Sequence, residues 1–302
     1  MTLAKGNPRI GIPAYFTSHA WMEAGFDDAE LFETKQGRLM FKALEPLFRL
    51  FGFLGPAVRM HNEYLFVRHF GHEARLRQIR PSCIIEIGAG LSPRGIAFAS
   101  ADPDLRYIEG DLANMVEAKR NALGSAEIPS NYFLGTTDLL AEDFAGSLPE
   151  MPRAGDRLAV VTEGVTDYFS MSEKRTAFRN ICSLLRAHGR GRYLLDIYAR
   201  ENFPHLPFLT QGFIRTLGHM VGRSFDDQLF ERVEDACGFL IECGFDRAEE
   251  LDLAELNRSD YQPPLKECTF RIVEAKVGEG PRRPTPGFPR EPAPAIFRRG
   301  RE

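Results

Sequence analysis

The 302-residue sequence has no long apolar run and little cysteine. No stretch approaches the roughly 20 apolar residues that a helix needs to cross a bilayer, and the N-terminus lacks the charged-then-apolar order of a secretion signal. The five cysteines are scattered and form no Cys-x-x-Cys pair. These absences predict a cytoplasmic protein with reduced thiols and argue against a disulfide framework.

The sequence also lacks a strong excess of either charge. Lys and Arg total 38, Asp and Glu total 42, and the formal net charge is −4. Such a balance creates no field that would attract nucleic acid or an anionic membrane, so neither is expected as a partner. A small-molecule substrate is the expected partner, and the oligomeric state stays open.

Patterns typical of metal sites and serine hydrolases are missing as well. His69 and His72 could share a helix face, but no convincing third ligand accompanies them. Ser92 does not lie in a Gly-x-Ser-x-Gly elbow. We therefore predict no metal site and no hydrolase.

Three regions of the chain differ in character. Residues 1–80 have apolar positions at helical spacing, interrupted by Pro46, and are predicted to form a helical lid that recognises substrate. Residues 81–278 alternate short apolar runs with amphipathic segments and contain an insert at 199–227. Residues 279–302 are rich in proline and arginine and are predicted to be a disordered tail.

The alternation in the middle region predicts an α/β fold. Strands are expected at 83–87, 105–109, 131–134, 158–163, 192–198, 248–253 and 267–276, and helices at 112–123, around 178–185 and at 229–243. Strands that alternate with helices form a mostly parallel sheet covered on both faces. No crossover helix is predicted before the last strand, so that strand is expected to be antiparallel.

The sharpest local signal is Glu86-Ile87-Gly88-Ala89-Gly90, where a strand runs directly into a glycine turn. The two glycines allow a tight bend and a close approach of backbone to ligand. Pro93 occupies the position of the third glycine in a dinucleotide fingerprint. The turn therefore suits a nucleoside joined to an amino acid, as in S-adenosylmethionine (SAM), better than NAD, although a Rossmann-type NAD enzyme is the alternative.

A carboxylate at the end of the second strand can bind both ribose hydroxyls. Glu109 and Asp111 both lie near the expected distance from Gly88. Either one could instead cap the following helix. Spacing alone leaves the choice open.

These residues resemble the leucine carboxyl methyltransferase family, which includes bacterial O-methyltransferases of the polyketide-tailoring type. The matching stretches are Val67-Arg68-His69, Ile85 to Arg94, Tyr107 to Leu112 with Lys119, Thr137-Asp138-Leu139, and Thr162 to Tyr168. The resemblance covers roughly residues 60–200. It implies a class I SAM-dependent methyltransferase with a Rossmann-like, mostly parallel seven-stranded sheet and helices on both faces.

The resemblance also implies roles for individual residues. Arg68 would hold the carboxylate of the methionine part of SAM, and Asp111, rather than Glu109, would hold the ribose. The implied cofactor-binding set is Arg68, Glu86, Gly88, Gly90, Asp111, Asp138, Leu139 and Glu163. Asp138 and Leu139 would contact adenine, and Glu163 would lie beside the methionine end.

The sequence departs from the family pattern in three places. Leu91-Ser92-Pro93-Arg94 keeps only the leucine and arginine of the usual turn, and Ala113 replaces a proline. Gly164 and Thr166 are small where the family prefers apolar residues. The lost acid in the turn changes local hydrogen bonding, and the small residues could open space for a substrate.

The catalytic base stays unassigned, with Glu163, Tyr168 and His205 as candidates. A carboxylate acceptor is already ionised and needs no base, whereas a hydroxyl acceptor needs one. The expected function is O-methylation of a metabolite's hydroxyl or carboxylate. The alternatives are methylation of a protein's C-terminal carboxylate and SAM binding without catalysis.

Substrate choice is expected to reside in the lid and the insert, because the sheet residues are committed to SAM. Both regions are rich in aromatic side chains: Tyr15, Phe16, Trp21 and Phe26 in the lid, and Phe203, Phe208 and Phe213 in the insert. These rings could wall an apolar pocket. Alternatively, they pack the two regions onto the domain.

Overall fold

The computed structural model describes residues 12–23, 29–32, 34–35, 37–39, 55–205, 228–256 and 270–278. The predicted interruption at Pro46, most of the 199–227 insert and the proline-rich tail lie outside these residues. The division into lid, cofactor domain and tail therefore stays a prediction.

A seven-stranded sheet organises the described residues. Its strands are β1 Cys83–Ile87, β2 Arg106–Asp111, β3 Tyr132–Thr136, β4 Leu158–Thr162, β5 Gly191–Tyr198, β6 Arg247–Glu250 and β7 Phe270–Val277. The order is β3-β2-β1-β4-β5-β7-β6. Strand β7 pairs antiparallel with β5 and β6, and the pairs among β1 to β5 are parallel. This arrangement is the class I methyltransferase fold, and the prediction of an antiparallel last strand is confirmed.

Helices cover both faces of the sheet within the described residues. They are α1 Ile12–Glu23, α2 Gly55–Ile79, α3 Arg94–Ala101, α4 Ala113–Leu123, α5 Met171–Ala187, α6 Val233–Glu242 and the four-residue α7 Leu253–Leu256. Side chains of α2, α3 and α4 pack on one face of the sheet, and those of α5 and α6 pack on the other. No helix in the described part of the chain has both the length and the apolar character that a membrane span requires.

Burial on both faces explains the sequence of the central strands. In β1, Cys83, Ile85 and Ile87 face one core while Ile84 faces the other, and all are at most 3% exposed. A strand covered on both sides is apolar throughout, as parallel sheets generally are. Glu86 breaks this pattern, which marks it for an internal partner.

Most predicted boundaries lie within two residues of the observed ones, and two lie further away. The helix predicted from residue 229 begins at Val233, because Arg232 keeps an extended backbone and its N–H donates to Asp235 Oδ2 at 3.0 Å. The strand predicted to reach residue 253 ends at Glu250, since Leu253–Leu256 turns into a short helix. Four of the five cysteines fall within the described residues, and all four are free thiols.

Candidate cofactor site

The glycine turn follows β1 at the carboxyl edge of the sheet. Gly88 has φ +74 and Gly90 has φ +55, a region that side chains rarely adopt. A Cβ on Gly88 would lie 2.5 Å from Val165 Cγ2, in the loop after β4. The turn is therefore closed to any larger residue, and Pro93 leads directly into α3.

Asp111 lies opposite this turn, at the end of β2. Its Oδ2 accepts a hydrogen bond from the Gly90 N–H at 2.8 Å, and its Oδ1 accepts one from the Leu112 N–H at 2.7 Å. Burial raises the pKa of Asp111, and these two amides act against that rise. The carboxylate thus belongs to the turn itself.

Glu109 has a different, internal role. Its Oε2 accepts hydrogen bonds from Lys119 Nζ at 2.5 Å and from the Tyr132 hydroxyl at 2.8 Å, and the residue is 0% exposed. Burial raises the pKa of Glu109 against the opposing effect of Lys119. This core ion pair supports the choice of Asp111 for a ribose.

Asp138 and Leu139 follow β3 along the same edge of the sheet. Asp138 is half-buried and its Oδ1 accepts a hydrogen bond from the Leu140 N–H at 2.9 Å. Leu139 is buried, and its carbonyl accepts a hydrogen bond from Asn180 on α5 at 2.9 Å. The predicted adenine contact is consistent with this position and stays a prediction.

Arg68 reaches from α2 to the end of β4. Its Nε donates to Glu163 Oε1 at 3.2 Å, and its Nη1 donates to Asp196 Oδ2 at 3.3 Å. A Cβ on Gly164, which has φ +65, would lie 3.0 Å from Arg68 Nη2. Burial opposes the charge of Arg68, but the two acids outweigh burial and raise its pKa, so the guanidinium is permanently charged.

Glu163 joins several cations at the site. It binds Arg68 on one oxygen, and Arg94 Nη2 and His69 Nδ1 on the other. Burial opposes its ionisation, but Arg94, His69 and Arg68 hold the pKa of Glu163 well below its usual range. A carboxylate held in this way is a poor proton acceptor at neutral pH.

Glu86 lies beneath the turn. It accepts a hydrogen bond from Arg94 Nη1 at 2.8 Å and another from the Tyr107 hydroxyl, and it is 1% exposed. Arg94 itself is 0% exposed, and despite burial its pKa is raised by Glu86 and Glu163. Glu86 thus holds Arg94 in place beneath the turn, and its predicted contact with the cofactor stays a prediction.

His69 connects this network to the N-terminal helix. Its Nδ1 lies 3.2 Å from Glu163 Oε2, and its Nε2 lies 3.3 Å from Glu73 Oε1. Burial and Arg94 lower the pKa of His69, but the two carboxylates overcome them and raise it above its usual value. The ring of Trp21, on α1, lies 5.1 Å from the His69 ring and is 5% exposed.

His72 accompanies this network on the same helix. Its Nδ1 lies 2.9 Å from the Arg68 carbonyl, and burial lowers its pKa. Over the described ranges, no three His, Cys, Asp or Glu side chains are grouped so as to hold a metal ion.

The other two candidate bases, Tyr168 and His205, stay predictions. Burial raises the pKa of Tyr168 to about 12, against the opposing effect of Arg68. His205 ends the short 3-10 helix Arg200–His205, and its side chain lies outside the described structure.

Sequence reasoning missed Asp196 and gave Arg94 no role. A signal was present for Asp196, because an acid within the otherwise apolar Leu194-Leu195-Asp196-Ile197 must find a partner when buried. The partner of Asp196 is Arg68, which is distant in sequence, and no local pattern links the two.

No protein-family model and no curated protein sequence matches the chain. Solved structures do match. A protein of Nostoc punctiforme PCC 73102 assigned as an O-methyltransferase is 15% identical, with a TM-score of 0.49 over 73% of this chain and 58% of its own. Human N-acetylserotonin methyltransferase, solved with SAM, is 12% identical, with a TM-score of 0.47 over 87% and 70%.

PigF, solved with S-adenosylhomocysteine (SAH), is 15% identical, with a TM-score of 0.45 over 65% of this chain and 50% of its own. The chain thus spans little more than half the length of two of these proteins. The fold assignment rests on the strand order and pairing of this chain itself.

Proposed function

We propose that the protein is a SAM-dependent O-methyltransferase that methylates a hydroxyl or carboxylate of a small-molecule metabolite. The observation that carries this proposal lies at the end of β4. Gly164 packs against the Arg68 guanidinium, and the next residue, Val165, packs against Gly88. Three groups therefore lie along one edge of the sheet. Arg68 can bind a carboxylate, the Gly88 turn allows a ligand to approach the backbone closely, and Asp111 can bind ribose hydroxyls.

This set of groups fits SAM better than NAD. SAM combines a nucleoside with an amino-acid carboxylate, and its sulfonium supplies the methyl group.

The resemblance to the leucine carboxyl methyltransferase family supports the O-methyl chemistry. The protein's contribution to catalysis is to position the acceptor and exclude water. Arg94, His69 and Arg68 hold the pKa of Glu163 well below its usual range, and burial raises the pKa of Tyr168 to about 12, so both are weak bases at neutral pH. A carboxylate acceptor satisfies this chemistry without any base. Cytoplasmic location and the lack of nucleic-acid or membrane partners stay predictions.

Calorimetry with SAM, SAH and NAD tests cofactor choice. We expect SAM and SAH to bind with micromolar affinity or better and NAD not to bind. Binding of NAD with no response to SAM would overturn the proposal.

Incubation with methyl-labelled SAM and metabolite extract, followed by mass spectrometry, identifies the acceptor. Mild base releases labelled methanol from a methyl ester but not from a methyl ether, which separates the two acceptor classes. Label on a protein C-terminus would favour the protein-methylating alternative, and SAM binding without any labelled product would favour a non-catalytic role.

A further inference from the structure

Asp196 lies on β5, one strand beyond the residues that sequence reasoning assigned to the cofactor. It is 2% exposed, and both of its oxygens are engaged at the site. Oδ2 accepts from Arg68 Nη1 at 3.3 Å, and Oδ1 accepts from the Gly164 N–H at 2.8 Å. One carboxylate therefore holds both the arginine and the loop against which that arginine packs.

Arg68 needs this second acid because Glu163 alone does not fix its plane. Glu163 binds only the Nε edge, and its other oxygen is shared with Arg94 and His69. A guanidinium held at one point can rotate about that contact. A second contact at Nη1 fixes the plane of the guanidinium. The Nη2 group makes no hydrogen bond with any described residue. Preorganisation of this kind lowers the cost of binding a carboxylate.

We infer that Asp196 is a positioning residue that orients the Nη2 edge of Arg68 toward the carboxylate of the cofactor's amino-acid part. This inference rests on the proposed function. Asp196 acts through Arg68 and does not itself touch the ligand. Its effect is therefore confined to ligands that carry the carboxylate.

Two nucleosides make this distinction measurable. SAH carries the amino-acid carboxylate, whereas 5′-methylthioadenosine keeps the adenosine and the thioether but lacks it. Asp196→Asn keeps an acceptor for the Gly164 N–H while removing the charge beside Arg68. We expect the Kd for SAH to rise about tenfold or more and the Kd for methylthioadenosine to change by less than about threefold, as measured by calorimetry.

Glu274 offers a matched control within the same sheet. It is a fully buried acid on β7 that accepts from Arg75 at 2.8 and 3.1 Å and from Arg192 at 3.1 Å. Glu274→Gln removes a comparable buried charge near the start of β5, so it should lower stability while leaving the ratio of the two Kd values unchanged.

The Arg68→Ala variant and its double variant complete the test. If Asp196 acts through Arg68, adding Asp196→Asn to Arg68→Ala causes no further loss of SAH affinity. Two results would overturn the positioning role alone. One is an Asp196→Asn variant in which the Kd values for SAH and methylthioadenosine change by the same factor. The other is a double variant in which the two losses of SAH affinity add. A wild-type protein that binds neither nucleoside contradicts the proposed function and this inference with it.

Discussion

At the scale of single residues, Gly164 determines how closely Arg68 approaches the end of β4. Its φ is +65, and a Cβ there would lie 3.0 Å from the guanidinium. Gly164→Ala should push Arg68 away from its two acids and weaken SAH binding about tenfold or more. Gly189→Ala is the control, because Gly189 also has positive φ but has no atom within 4 Å of its Cβ position. Equal SAH affinities for the two variants in calorimetry would contradict this account.

The two acids of β2 should have different roles, Asp111 in cofactor binding and Glu109 in the stability of the fold. Asp111→Ala is expected to weaken binding of both SAH and methylthioadenosine, because both carry a ribose. Glu109→Gln should lower the free energy of unfolding, since it disrupts the buried contact with Lys119, and leave both Kd values unchanged. Calorimetry and urea denaturation measure the two effects. Loss of binding in the Glu109 variant alone would show that the wrong acid was chosen.

Asp167 predicts a pH dependence of stability. Burial raises its pKa to about 7, against the opposing effect of Lys174, whose Nζ lies 3.8 Å away. A raised carboxyl pKa favours the folded state when the group is protonated, so this contribution is lost as pH rises from about 4 through 7.

Urea denaturation of wild type and Asp167→Asn between pH 4 and 8 measures this contribution. The difference in unfolding free energy should shift in favour of the variant by about 2–4 kcal/mol with rising pH. Parallel pH profiles for the two proteins would count against the raised pKa.

The spacing from Gly88 placed the ribose-binding acid near the end of β2 but could not choose between the two acids there. Glu109 and Asp111 are two positions apart, so both lie near the expected distance from Gly88. Only the structure shows that Lys119 and Tyr132 bind one of them internally. Asp196 could not be assigned, because its role depends on Arg68 from a helix 128 residues away.

At the scale of elements, the N-terminal segment belongs to the core. Phe32, in the short 3-10 helix Ala29–Phe32, is 0% exposed and lies with its ring 5.1 Å from Lys119 Nζ. Trp21 is likewise buried against His69, so it packs the segment onto the domain. The pocket-wall role predicted for the other aromatic residues stays a prediction.

Phe32→Ala should therefore destabilise the fold by about 3–5 kcal/mol. Leu39→Ala is the control in the same region, because Leu39 is 70% exposed, and it should change stability by less than about 0.5 kcal/mol. Denaturant unfolding measures both. A Phe32 variant as stable as the Leu39 variant would show that the segment is not part of the core. Removal of residues 1–35 would delete this core and so is a poor test of substrate recognition.

At the scale of the whole molecule, the fold was predictable because it depends on periodicity. Apolar runs separated by amphipathic segments predict a doubly covered parallel sheet, and the missing crossover helix predicts the reversed β7. The ends of β6 and α6 were not predictable to the residue, since Arg232 and Leu253 are compatible with either of two local conformations.

Trp21 is the only tryptophan in the chain, and its ring lies tilted against that of His69, which shares Glu163 with Arg68. Any ligand that draws on the Arg68 guanidinium changes the charge balance next to that indole ring. The emission of a single natural fluorophore should therefore report occupancy of the carboxylate end of the site. A label-free optical titration of the wild-type protein could then follow binding in real time.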